Sequence, residues 1–133
     1  MKSRIFDLRL IADALRSRCP FIMFAMVHGV DECGRQDIPG TPELSVLLDH
    51  HPGAWNAIQR ILPVLSESGM EHRLELTLLN RVDVYTRFRA SQGVCLFVKE
   101  GSEQHFRNFR MQASLDHRIM RAQGRKLGII DND

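Results

Sequence analysis

The apolar positions change period several times along the chain, and each change marks an element. Ile5, Leu8, Ala12 and Leu15 recur at three- and four-residue steps, which predicts an amphipathic opening helix that Ser3 can cap and Pro20 ends. Residues 21–28 (FIMFAMVH) are almost wholly apolar and too few for a helix, as expected of a strand buried on both faces and stopped at Gly29. A polar connection with glycines and prolines, residues 30–42, then leads to residues 43–48 (ELSVLL). Their two-residue alternation predicts a second strand beside the first.

Pro52 is placed for the first turn of the next helix, whose predicted core stripe is Trp55, Ile58, Leu62 and Leu65, with a kink at Pro63 and an end at Gly69. Residues 73–79 (RLELTLL) alternate again, setting Leu74, Leu76 and Leu78 on one face of a third strand and Glu75 with Thr77 on the other. Asn80 can cap a short helix carrying Val84, Tyr85 and Phe88, which Gly93 closes before a fourth strand, residues 94–98 (VCLFV). Ser102 opens a long last helix with an apolar stripe of Phe106, Phe109, Ala113 and Met120. Asp116 falls on that stripe, where a carboxylate needs a partner. The order predicts an α/β (α+β) fold, a small mixed sheet flanked by helices, as one domain over residues 1–133 without repeat or linker.

Composition narrows the class. With 133 residues, 44% hydrophobic and 26% charged, the chain is long enough for one apolar core and unlike a disordered segment. No apolar run approaches the roughly 20 residues of a membrane helix, and the N-terminus lacks a signal-peptide core, so a cytoplasmic location is expected. Cys19, Cys33 and Cys95, odd in number and widely spaced, read as reduced thiols. The net charge of +2 gives little drive toward nucleic acid, and the basic group Arg107, Arg110, Arg118, Arg121, Arg125 and Lys126 reads first as a solvated helix face.

The segment between the first two strands carries the chemistry. Gly29, Val30 and Gly34, then Gly40, Thr41, Pro42, Glu43 and Leu44, resemble in register the pattern G-S-x-x-x-G, spacer, S-D-x-D-L of the minimal nucleotidyltransferases, the small branch of the polymerase-β-like fold. Leu74-Glu75-Leu76-Thr77-Leu78-Leu79-Asn80-Arg81 is similar to that family's third strand, V-D-L-V-L-L-N-R, and the short helix, strand and long helix follow in the family's order. The resemblance implies a nucleotidyltransferase-like fold, Mg²⁺ and ATP as cofactors if the protein is active, nucleotide binding at Gly29, Val30 and Gly34, and metal positions at Thr41, Glu43 and Glu75. Mg²⁺ takes carboxylate oxygens from adjacent strands in a strict geometry, and glycine-rich turns hold phosphate through backbone N–H groups.

Three departures erode that implied site. Val30 lacks the serine hydroxyl, Thr41 is neutral where a first carboxylate belongs, and Glu43 and Glu75 are a methylene longer than aspartate. By spacing alone Glu43 and Glu75 also read as an ordinary polar pair on a solvent-facing strand. Thr41→Asp with Val30→Ser is expected to improve metal binding. Two other patterns are local: Asp49-His50-His51-Pro52 matches the short DHH phosphoesterase signature but reads as a strand end and helix cap, and Arg110 with His117 meets the R-x6-H spacing of HEPN ribonucleases easily by chance. Minimal nucleotidyltransferases commonly accompany HEPN-domain proteins as the antitoxin of a prokaryotic toxin–antitoxin pair. The resemblance thus implies a degenerate, weakly active or inactive protein that binds a HEPN-domain partner. The alternative is an active Mg-dependent enzyme transferring a nucleotide, such as AMP from ATP, to a protein hydroxyl. A homodimer is the further expectation; a membrane association is not.

Overall fold

The computed structural model describes residues 5–49, 53–70 and 73–128. In chain order the elements are α1 (Leu8–Arg18), β1 (Ile22–His28), β2 (Glu43–Leu48), α2 (Ala54–Glu67), β3 (Glu75–Leu78), a 3-10 turn (Leu79–Arg81), α3 (Val84–Ser91), β4 (Val94–Val98) and α4 (Glu103–Lys126). The four strands form one mixed sheet in the order β3-β2-β1-β4. β1 is antiparallel to both β2 and β4, and β2 runs parallel to β3.

Residues opposite one another on neighbouring strands share a face, so the register sorts the core into two layers. Ala25, Val27, Leu44, Val46 and Leu48 are buried against α1 and α2, with Ile11, Leu15, Ala57, Ile61 and Val64. Phe24 and Met26 turn the other way, to Ala90 of α3 and Phe109 of α4. Phe24 anchors this second layer: fully buried, with the Phe106 ring 5.1 Å away edge-on, it contributes on the order of 2–3 kcal/mol of transfer free energy. The nearly unbroken apolar run of β1 follows from its place in the middle of the sheet, covered on both sides.

Three expectations are corrected. α1 begins at Leu8, not ahead of Ile5: Asp7 is its N-cap, its carboxylate accepting from Leu10 N at 3.0 Å, while Ile5 bridges to Arg35 and is exposed. Ser3 lies outside the described residues. α2 buries Leu65 as expected, but with Ala57, Ile61 and Val64 in place of the rest of the expected stripe, and leaves Trp55 and Leu62 in solvent. Pro63 lies inside α2, which spans it as one helix, and Pro52 is outside the described residues. α3 is capped by Asp83, which accepts from Thr86 N at 2.7 Å, because Asn80 is engaged elsewhere. The Asn80 amide accepts from Leu48 N and donates to Leu48 O, both at 2.9 Å, continuing the β2–β3 ladder by one rung. On α4, Phe109 and Ala113 are buried, and Asp116 finds its partner in the Gln112 amide at 2.7 Å.

Candidate functional site

His28, the last residue of β1, is the register partner of Glu43, the first of β2, and Glu43 is the register partner of Glu75, the first of β3. The three side chains therefore stand in a row across one end of the sheet, on the face that α3 and α4 cover. Glu43 and Glu75, expected in a common groove, are on that common face, and Gly29 follows His28 at its margin. Pro42 O accepts from Glu75 N at 2.9 Å, so the pairing that aligns the two glutamates starts before β2 does.

α3 closes this row. Its Asp83 cap starts the helix after the 3-10 turn that follows β3, and Arg89, six residues on from the cap, reaches Glu43. Nη2 of Arg89 lies 3.0 Å from Oε2 and 3.3 Å from Oε1 of Glu43. The Glu43 side chain is only 12% exposed, so this is a largely desolvated pair rather than a surface contact. The hydrogen bond to Glu43 pushes the already high pKa of Arg89 further up, and the same guanidinium stacks 5.5 Å over the Tyr85 ring. Glu75 is exposed beside the pair.

The glycine-bearing connection folds on itself. Val30 bridges Gln36. Asp31 N donates to Arg35 O and Gly34 N to Asp31 O, both at 2.9 Å, and Asp37 N donates to Gly29 O at 3.0 Å. The Asp31 carboxylate accepts from Cys33 N at 2.9 Å and Arg35 N at 3.0 Å, an Asx-type turn. The amides of residues 31, 33, 34, 35 and 37 are thus engaged within the connection, whereas a phosphate cradle needs such donors turned outward. Gly29 and Gly34 serve this geometry: φ is +100° at Gly29 and +82° at Gly34, and a Cβ on Gly34 would stand 2.0 Å from Phe6 O, where the chain's first described segment docks. Val30 is buried in the α1/α2-side core, so its side chain offers nothing to a ligand in the groove. Thr41 is exposed just before β2.

The residues present do not fit a divalent-metal cage. Of the three positions that the sequence resemblance marks for a metal, Thr41 is neutral and Glu43 is engaged by a cation. Among the described residues there is no group of three or more His, Cys, Asp or Glu that could hold a metal ion. The remaining motifs are placed as follows. Asp49 N donates to Phe21 O at 2.8 Å, while His50, His51 and Pro52 lie outside the described residues. Arg110 packs over Phe106 of the same helix at 5.7 Å, and His117 stacks on Phe88 at 3.8 Å with the rings 5° from parallel, a packing role between α3 and α4. Cys19 is buried and burial pushes its thiol pKa up; Cys33 is exposed in the connection. Arg89 and Asp31 were not legible as site residues beforehand. For Asp31 a signal existed, an Asp three residues before a Gly, the signature of a tight turn; for Arg89 there was none, since its partner is 46 positions away.

No protein-family model matches the chain, and no curated protein matches it. Solved structures do. A mutant of the toxin–antitoxin MntA-HpeT matches with TM-score 0.68 and 17% identity over 92% of this chain and 95% of that one. A toxin–antitoxin with AMP-PNP matches with TM-score 0.67 and 16% identity, again over 92% and 95%. The complex of a tri-AMPylated Shewanella oneidensis HEPN toxin with MNT antitoxin matches with TM-score 0.61 and 13% identity over 90% and 94%. At these identities what is shared is the fold, and it is shared over nearly the whole length: the four-stranded mixed sheet with its helices is the nucleotidyltransferase-like fold of those neighbours. Among the described residues no helix is long and apolar enough to cross a membrane.

Proposed function

We propose that this chain is a nucleotidyltransferase-fold protein that acts by binding rather than by catalysis, as the antitoxin-like partner of a HEPN-domain protein. The observation that carries this reading is the Arg89–Glu43 pair. Nucleotidyl transfer in this fold requires carboxylates free to gather Mg²⁺ around a triphosphate, whereas Glu43 is engaged by a tethered cation inside a mostly buried contact. The self-satisfied connection at residues 31–37 and the buried Val30 support it, since both withdraw groups that would hold phosphate. The neighbours in HEPN and toxin–antitoxin complexes support the partner, and the AMP-PNP complex among them makes nucleotide the ligand to try first.

The test has two readouts on the purified chain. Titration with Mg²⁺-ATP is expected to give weak binding or none, and ATP labelled at the α-phosphate is expected to leave a HEPN-domain protein unlabelled. Co-sedimentation with a HEPN-domain protein from the same organism is expected to give a complex. Robust labelling by the unaltered chain would refute the binding-only reading and make the protein-hydroxyl nucleotidyltransferase the better one.

A further inference from the structure

α4 presents two apolar faces. Phe109, Ala113 and Gly124 are buried, Phe106 and Met120 are half-buried beside them, and this side completes the second core layer. Met111, Leu115 and Ile119 form a different ridge, stepping by four residues, and they are 67%, 44% and 49% exposed. At 3.6 residues per turn the ridge lies about 150° round the helix from the buried side and runs for about 12 Å. Scattered surface leucines need no explanation, but three large apolar side chains in helical register, facing away from the fold, form a continuous strip. Arg107, Arg118 and Arg125 run along one flank of this strip, with Arg110 and Arg121 behind them. The helix as a whole holds six basic residues against two acidic ones.

We infer that this outward ridge of α4 is a docking surface for an apolar helix, flanked by acidic residues, of a partner protein. Charge selects the occupant. A second copy laid antiparallel on the ridge would bring two arginine flanks into the same interface, where like charges are costly, whereas an acidic flank complements them and speeds encounter. Nucleic acid would use the arginines and leave the apolar strip unpaired. Stepping by four residues is the spacing at which one amphipathic helix reads another. The inference takes from the functional reading only that the chain has a protein partner; it adds the surface and the partner's chemistry.

The experiment measures affinity for a HEPN-domain protein from the same organism, by calorimetry over a salt series, with three forms of the full chain. Leu115→Lys with Ile119→Lys removes the apolar ridge, keeps good helix formers and leaves the sign of the charge unchanged. Arg107→Glu with Arg118→Glu and Arg125→Glu inverts the flank. Circular dichroism and melting temperature check that both fold. The lysine pair is expected to weaken binding by about 30-fold or more, and the inverted flank to slow association and reverse its salt dependence. Unchanged affinity in both folded variants overturns the surface while leaving the binding function standing. Failure of the unmodified chain to bind overturns both. Self-association of the chain that the lysine pair abolishes, or RNA binding that only the inverted flank abolishes, overturns the chosen occupant.

Discussion

Removing Arg89 exposes what the pair at the sheet end does. Arg89→Ala leaves Glu43, 12% exposed, without its cation and in register with a second carboxylate, Glu75, on a strand about 4.8 Å away. Hydrogen bonds to a charged group are worth about 1.5–3 kcal/mol when one partner is deleted. Arg89 is itself 33% exposed, so water can enter the gap it leaves, and the loss should sit near the bottom of that range, about 1.5–2 kcal/mol. For a domain of 133 residues each kcal/mol is worth about 4 °C, giving a fall in Tm of about 6–8 °C. The diagnostic step is to repeat the melts with Mg²⁺ or Mn²⁺. With the guanidinium gone, two facing carboxylates offer oxygen ligands to a divalent ion, so the variant is expected to recover several degrees while the unaltered chain is indifferent. Arg89→Ala combined with Glu43→Gln should regain part of the loss without metal, because no uncompensated charge remains. A variant that melts with the parent would refute the reasoning, as would a parent that gains as much from Mg²⁺ as the variant does.

Gly34→Ala forces a Cβ to 2.0 Å from Phe6 O at a φ of +82° and is expected to cost more than the ~1–3 kcal/mol of a strained left-handed residue alone, read from urea melts. Val30→Ser places a hydroxyl in the α1/α2-side core, so in place of the improved ligand binding its sequence position promises, it is expected to lose about 1–3 kcal/mol and to bind Mg²⁺-ATP no better by calorimetry. Hydrogen bonds from the Thr86 hydroxyl and amide hold the Asp83 carboxyl below its usual pKa. Its folded pKa being lower than its unfolded one, the stabilisation is present above the unfolded pKa and is lost as pH falls through the folded one; Asp83→Asn, which still caps α3, should flatten the acid limb of a stability-versus-pH curve and leave neutral pH little changed.

What could be read in advance was what local pattern dictates. The run from Phe21 to His28 and the alternation of ELSVLL and RLELTLL have no stable use except as strands, and two-residue periodicity alone put Glu43 and Glu75 on one face once the strands were neighbours. The helices were found, but their orientation was less secure. α2 carries apolar residues on both Trp55-Ile58-Leu62 and Ala57-Ile61-Val64, and only the sheet it packs on decides that the second ridge goes in. Caps were misplaced for a related reason. Ser3 and Asn80 have the right side chains, but capping depends on where the chain turns, and Asp7 and Asp83 stand at the turns. Arg89 was invisible because a long-range ion pair leaves no periodic trace.

The departures at Val30 and Thr41 from the resembled motif are compatible with an intact fold because different residues carry the two. The sheet register is set by Ala25, Val27, Leu44, Val46 and their partners, all buried and none of them in the G-S or S-D-x-D-L positions apart from Leu44. Charge can therefore be lost at Thr41 without loosening the core. Glu43 is the exception, since it sits at the head of β2 against α3 and cannot be left buried and unpaired. In a metal-dependent site that neutralisation comes from solution and varies with metal concentration; here it is intramolecular, through an arginine on the helix that also packs Tyr85 and Phe88 toward α4. With the cation tethered, Glu43 has its neutralising charge without a metal ion. On the binding reading this has a direct physical consequence: the outward ridge of α4 is carried on a helix whose seat does not shift with ligand, so association with a partner should be insensitive to Mg²⁺-ATP.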